Sequence, residues 1–320
     1  MAFSRQVRRR IAPGPNHACA ETSGFRTPSF RAVSSPDIKQ SFKVAIRAHR
    51  LPDGYHLHYR HCPSMTAKAR LLLVHGVVSH SGWLESLGRR LAADGIDTVI
   101  VDRRGAGLNA RFRGDTPSPE RLLDDLDDLL AHLCGDSGPW NDSRDCGDSL
   151  PLHVGGFCWG ANLVVCWLAL RHALRVGSLV LMAPSLFPSS DMRNRTLRCS
   201  DSGIATEEPV MPIEAFTSGP MLDNYIRPDP LRLRRVSPRM NQALQAFSRD
   251  LWIRFLSLEL PLCLIMAAQD SVVDIAATAR LFERHRSHVK AYHLLSSAHG
   301  IQFDAEADAA ERIIRWIAPH

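Results

Sequence analysis

No stretch of this chain is apolar for anything near the roughly 18 residues that a membrane-crossing helix requires. The strongest candidate, "LVVCWLAL" at 163–170, is too short and reads as a core helix, so no stable membrane insertion is expected. Cysteine is scarce: the eight present, Cys19, Cys62, Cys134, Cys146, Cys158, Cys166, Cys199 and Cys263, show no paired spacing in 320 residues. That density is far from a disulfide-built scaffold, and a reducing, cytoplasmic setting is expected. A glycine-rich phosphate loop is missing as well, and "GAG" at 105–107 lacks the dinucleotide-binding fingerprint. His56 and His58 share one face of an expected strand, but no cysteine or carboxylate cluster stands beside them, which favours an exposed strand face over a metal site. The reading therefore includes no cofactor and no metal.

Acidic residues are nearly absent from the first 40 positions. There Arg5, Arg8, Arg9, Arg10, Arg26, Arg31 and Lys39 face only Glu21 and Asp37, so most of the formal charge of +6 belongs to this segment. About +1 remains for the rest of the chain, and the basic balance says nothing of nucleic-acid binding by the folded body. Residues 1–40 show neither a helical nor a strand period and are expected to be a disordered basic extension. The extension lacks the apolar stretch of a secretory signal and resembles a transit peptide only faintly; an extension without function, or a start codon placed too far upstream, is the reading its composition favours.

What is present is a long alternation. With 45% hydrophobic residues the chain can bury one large core. "FKVAIRAHRLPDGYHLHYRH" gives two β-rich runs joined by Asp53-Gly54, a hairpin signal. "RLLLVHG" and "IDTVIVDRRG" read as buried strands, and between them Trp83, Leu84, Leu87 and Leu91 recur at helical spacing up to Gly95. "PERLLDDLDDLLAHLCG" is an amphipathic helix. Further strands follow in "LPLHV", "GSLVLMAPSLF", "LPLCLIMAAQD" and "HVKAYHLLSSAHG", with helices in "ATARLFERH" and "AEADAAERIIRWI". Strands alternating with helices predict an α/β fold, a mostly parallel central sheet covered by helices on both faces. The alternation breaks between Phe187 and about Arg249, and residues 188–249 are expected to be a short cap insertion, with one or two helices around 222–258.

One stretch carries chemistry. "HVGGFCWGANLV" at 153–164 places Cys158 between Gly156 and Gly160, after a strand and before a helix. A nucleophile on such a sharp turn needs glycine at the flanking positions, where a Cβ would strike the neighbouring strand and helix. In an open parallel sheet, reactive groups gather at the carboxyl ends of the strands. Asp270 after "LIMAAQ" and His299 in "SSAHG" would both reach that edge, in the chain order nucleophile, acid, histidine.

The ordered set "HGVVSHSGW" (75–83), "VDRRGAG" (101–107), "GFCWGA" (156–161), "AAQDSVVD" (267–274) and "AHGIQFD" (298–304) resembles the α/β-hydrolase superfamily over about residues 43–318. Within it the likeness is to the lysophospholipase and monoacylglycerol-lipase-like branch, also grouped as serine-aminopeptidase-like hydrolases. That branch carries serine at the elbow, and the G-x-C-x-G form resembles dienelactone hydrolases. The resemblance implies residues 41–320 as one α/β-hydrolase domain. It also implies a triad of Cys158 as nucleophile, His299 as base and Asp270 as orienting acid, with Asp274 in reserve. An oxyanion hole is expected from the backbone N–H groups of Val77 and Trp159. His75 and His80 are expected to be structural, and Asp102, Arg103 and Arg104 to hold their own turn through local pairs, with contact of Arg103 or Arg104 to a substrate carboxylate or phosphate the less favoured alternative.

A cysteine nucleophile forms an acyl-thioester, reached easily from thioesters, enol lactones and aryl esters and poorly from amides. The expected activity is therefore hydrolysis of, or acyl transfer from, an ester, lactone or thioester, on a small-molecule acyl substrate; nothing in the sequence speaks for peptide cleavage. The competing reading is a non-catalytic protein of this fold that binds a small ligand or partner. No oligomeric state follows from the sequence.

Overall fold

Hydrophobic strands alternating with amphipathic helices close here around one continuous sheet. The computed structural model describes residues 43–141, 150–171, 176–192 and 211–319. The basic extension at 1–40 and positions 193–210 of the expected cap lie outside the described residues.

The sheet has eight strands. In chain order they are β1 (Ala45–Arg50), β2 (His56–Cys62), β3 (Ala69–Val74), β4 (Ile96–Val101), β5 (Leu152–Phe157), β6 (Ser178–Met182), β7 (Leu262–Ala267) and β8 (Lys290–Leu295). Their spatial order is β1-β2-β4-β3-β5-β6-β7-β8. The expected hairpin of β1 and β2 is antiparallel, and β2 also meets β4 antiparallel. Every other pair, from β4–β3 across to β7–β8, is parallel. Strands β3, β4, β6 and β7 are buried along their whole length, as a sheet covered on both faces demands.

The helices follow from local chemistry. After a 3-10 turn at Ser81–Leu84 comes α1 (Glu85–Ala93), which buries Leu87 and Leu91. Helix α2 (Pro119–Cys134) starts at Ser118, whose hydroxyl accepts from the Arg121 N–H, with Pro119 in the first turn. Its buried stripe is Leu122, Leu126, Leu129, Leu130 and Leu133, each worth about 1.5–3 kcal/mol of apolar burial. Helix α3 (Trp159–Leu170) is apolar all round because it is enclosed by protein.

The interrupted region supplies a single π turn at Leu222–Ile226, then α4 (Pro238–Ser248) and α5 (Leu251–Ser257). Two helices over 238–257 agree with the sequence expectation. Backbone hydrogen bonds tie this region to loops beyond the carboxyl ends of three strands: Leu233 N–H to the Val78 carbonyl, Ser237 N–H to Gly114, and the His299 and Gly300 N–H groups to Ala215 and Phe216. It therefore lies across the edge where the site residues gather. Helices α6 (Ile275–Glu283), α7 (Ile301–Asp304) and α8 (Glu306–Ile317) complete the chain. No helix among the described residues is long and apolar enough to cross a membrane.

Candidate active site

Strand β5 runs straight into Cys158, which turns the chain at φ 54 and ψ −125 and opens α3. A non-glycine residue held there costs on the order of 1–3 kcal/mol, so the surroundings must impose it. They do so with hydrogen bonds: the Cys158 N–H donates to the Met182 carbonyl at 3.0 Å, and its own carbonyl accepts from Ala161 and Ser185. The flanking glycines are required by contact. A Cβ at Gly156 would lie 2.5 Å from the Ala161 backbone, and one at Gly160 would drive into the carbonyl oxygens of Val74 and His75. Gly76 stands across from the sulfur, where a Cβ would come within 3.0 Å of the Cys158 Cβ.

Asp270 and His299 meet in the loops three and four residues beyond β7 and β8, slightly past the strand ends where the sequence put them. His299 Nδ1 lies 2.8 Å from Asp270 Oδ2, and both side chains are fully buried. The other carboxylate oxygen accepts from the N–H groups of Val272 and Val273 at 2.8 and 3.0 Å, so the acid cannot rotate away. A carboxylate accepts, which places a ring proton on Nδ1. His299 Nε2 has no hydrogen-bond partner among the described residues. Burial works to lower the imidazole's pKa, but Cys158 and then Asp270 together outweigh it and push it up to about 10. Phe157 and Phe216 stand against the ring at centroid distances of 5.3 and 5.4 Å and keep water from it.

The three other buried thiols are a contrast. Burial pushes Cys62, Cys166 and Cys263 up to about 12, 11 and 12, and a thiol that stays protonated is a poor nucleophile. Only Cys158 among the described cysteines stands at a strand-to-helix turn beside an imidazole. It is itself 1% exposed.

The remaining residues sort cleanly. Asp274 caps α6 by accepting from the Ala277 N–H and does not pair with His299, so the reserve position is a helix cap. His75 is structural: Nδ1 donates to the Gly76 carbonyl, Nε2 accepts from the Arg103 N–H, and burial followed by Arg103 holds it neutral, well below the ordinary imidazole range. His80 bonds Asp229 at 2.8 Å, and the indole of Trp83 donates to the same oxygen. His58 Nδ1 is 2.9 Å from Asn109 Oδ1, a contact between β2 and the loop after β4. Arg104 has its expected pairs, Asp125 and Asp53. Arg103 differs from the expectation of local pairs, since no carboxylate pairs with it among the described residues. Val77 and Trp159 flank Cys158, and their backbone N–H groups enter none of the turn, loop or cap hydrogen bonds among the described residues.

Sequence reasoning missed Phe216 and Asp229. Both come from the interrupted region, and the His80–Asp229 contact joins residues 149 positions apart, for which periodicity carries no signal.

The family model for serine aminopeptidases, S33, matches residues 65–306. The chain belongs to that family. Phospholipase YtpA of Bacillus subtilis is 24% identical to this S33 family member over 231 residues, 70% of this chain and 84% of that protein. Among solved structures, a soluble variant of monoglyceride lipase from Saccharomyces cerevisiae superposes with a TM-score of 0.73 at 17% identity, covering 90% of this chain and 99% of that one. Monoacylglycerol lipase from Paleococcus ferrophilus gives 0.67 at 19% identity, over 82% and 99%. The fold is the α/β-hydrolase fold. Where the family's description specifies serine, this chain's elbow carries cysteine.

Proposed function

We propose that this S33 family member hydrolyses an ester, lactone or thioester, or transfers its acyl group, through Cys158, His299 and Asp270. The observation that carries the reading is a cysteine held in a strained elbow beside a buried imidazole whose far nitrogen is locked by a buried carboxylate. Such an arrangement is costly to build and does nothing for packing that an alanine and a leucine would not do better.

His299 takes the Cys158 proton, and the thiolate attacks the acyl carbonyl to form the C–S bond. The oxyanion so created is held by the N–H groups of Val77 and Trp159, the second also at the start of α3, where the helix dipole favours negative charge. Collapse breaks the bond to the leaving oxygen or sulfur, which leaves with the proton from His299 Nε2. Water, or an alcohol or amine acceptor, then attacks the acyl-thioester while His299 takes its proton, and Cys158 is released. Asp270 steadies the imidazolium at each stage. The region 211–257 acts as a cap over the site. With Cys158 and His299 sealed, substrate enters when the cap moves.

The relatives named phospholipase and monoacylglycerol lipase support acyl esters as the substrate class. The test is a screen of aryl esters and acyl-thioesters of several chain lengths against the wild type and Cys158→Ala. Turnover of at least one class that vanishes in Cys158→Ala is expected; turnover of none, or turnover that persists in the variant, contradicts the proposal.

A further inference from the structure

Arg103 is a buried cation to which no carboxylate is hydrogen-bonded among the described residues, and it stands beside the nucleophile. It directly follows Asp102 after β4, is 3% exposed, and uses one guanidinium nitrogen, Nη2, to donate to the carbonyls of Gly76 and Val77 at 2.8 Å each. Its Cζ lies 5.2 Å from the centroid of the Trp159 ring. The head group is thus lodged between the Gly76–Val77 backbone and the indole of Trp159. Nε and Nη1 are buried and have no hydrogen-bond partner among the described residues.

The neighbouring acids are already engaged. Asp102 accepts from the N–H groups of Ser81 and Leu108. Asp125, the single carboxylate bordering the small cleft that Arg103 shares with Leu57, Leu122 and Leu126, is taken by Arg104 and Arg121. Arg104, one residue on, shows what a satisfied buried arginine looks like here, with two carboxylates and the face of Tyr55. Holding the Gly76 and Val77 carbonyls accounts for Nη2 and leaves Nε and Nη1 unexplained. Leaving charged donors unpaired in a dry site is costly. Burial lowers the Arg103 pKa to about 10, against Asp102 and Cys158, so the group stays cationic at neutral pH.

We infer that Arg103 is an anion-recognition residue of the acyl pocket, and that the preferred substrate carries a carboxylate on a short acyl chain, to which one of the two unpartnered nitrogens, Nε or Nη1, donates while the other end of the chain presents its carbonyl to Cys158. The inference rests on the hydrolase reading above and narrows it from acyl esters in general to half-esters or half-thioesters of short dicarboxylic acids. An uncharged acyl chain of the same length leaves the guanidinium unpaired, so selectivity comes from the penalty as much as from the bond.

The test compares N-acetylcysteamine thioesters of glutarate and valerate, which differ in a terminal carboxylate, with the released thiol separated by chromatography. Wild type is expected to favour the glutaryl thioester in kcat/KM by about ten- to a hundred-fold, the range of a charged hydrogen bond. Arg103→Met should lose that preference while Arg103→Lys keeps part of it. Free glutarate should compete with valeryl-thioester turnover in the unaltered protein, a readout that needs no variant to fold. Cys158-dependent turnover with equal or greater preference for the valeryl thioester, together with no competition by glutarate, overturns the inference and leaves the hydrolase reading standing. Absence of Cys158-dependent turnover of either thioester and of every neutral ester in the screen overturns the hydrolase reading and the inference with it.

Discussion

Asp270→Asn exchanges a carboxylate for an amide of the same shape at the point where the proposed base is oriented. The amide oxygen can keep the two hydrogen bonds from Val272 and Val273, which turns the amide nitrogen toward His299 Nδ1, where an acceptor stood at 2.8 Å. An NH2 group there donates. His299 then accepts at Nδ1 and carries its proton on Nε2, the nitrogen that has to receive the Cys158 proton. The loss in kcat/KM should be roughly 10²- to 10³-fold, about 3–4 kcal/mol, smaller than the ~10⁴-fold known for the same exchange in a serine triad because a thiol depends less on its base. Stability should fall by about 1.5–3 kcal/mol, the value of a hydrogen bond to a charged group. The assay is the burst of p-nitrophenol from a p-nitrophenyl ester, followed from mildly acid to alkaline pH. Wild type should acylate at an almost constant rate across neutral pH, where His299, raised to about 10, stays protonated, whereas the variant, without the carboxylate that helps raise it, should become pH-dependent in that range. If Asp270→Asn acylates within about three-fold of wild type with an unchanged pH profile, Asp270 does not orient the base.

Three further outcomes follow from the same coordinates. His299, raised from 6.5 to about 10, contributes stability that is complete below its unfolded value and is lost as pH rises through about 10; thermal melts should show that fall beginning at lower pH in Cys158→Ala, and identical pH profiles would mean the sulfur is not coupled to the ring. Gly160→Ala should push α3 away from β3 at the Val74 and His75 carbonyls, cost about 3 kcal/mol, and reduce turnover more than its lost stability explains; a variant with unaltered melting and turnover would deny the close approach. Asp125→Ala strips Arg104 and Arg121 of a buried carboxylate and should destabilise by about 3–5 kcal/mol, read by urea unfolding, toward the lower end because Asp53 still pairs with Arg104. A change under about 1 kcal/mol there would show that the network contributes little.

The sheet was legible because its strands are short apolar runs punctuated by Gly, Pro and Asp, and because the helices between them repeat at 3.6 residues. The pairing of Asp270 with His299 was legible for a related reason: each follows a buried strand, and parallel strands bring such loops to one edge. Asp274 was the weaker candidate, and the structure shows it spent on the first turn of α6. What the sequence left open is where long-range polar contacts arise. Phe216 against His299 and Asp229 against His80 join a region without period to the sheet edge, and no spacing rule links them. Arg103 and Arg104 are adjacent and identical in type, yet one is paired twice and the other not at all with an acid; side-chain direction at the end of β4 decides this.

The central claim is that Cys158 carries the acyl group. Wild type mixed with an activated acyl ester, quenched in acid within the first turnover and weighed intact, should gain the mass of one acyl group, and peptide mapping should place it on Cys158. His299→Ala should accumulate it slowly and Cys158→Ala not at all. An adduct located on any other residue, or full steady-state turnover by Cys158→Ala, would contradict the account and leave the elbow as a turn retained in a binding protein.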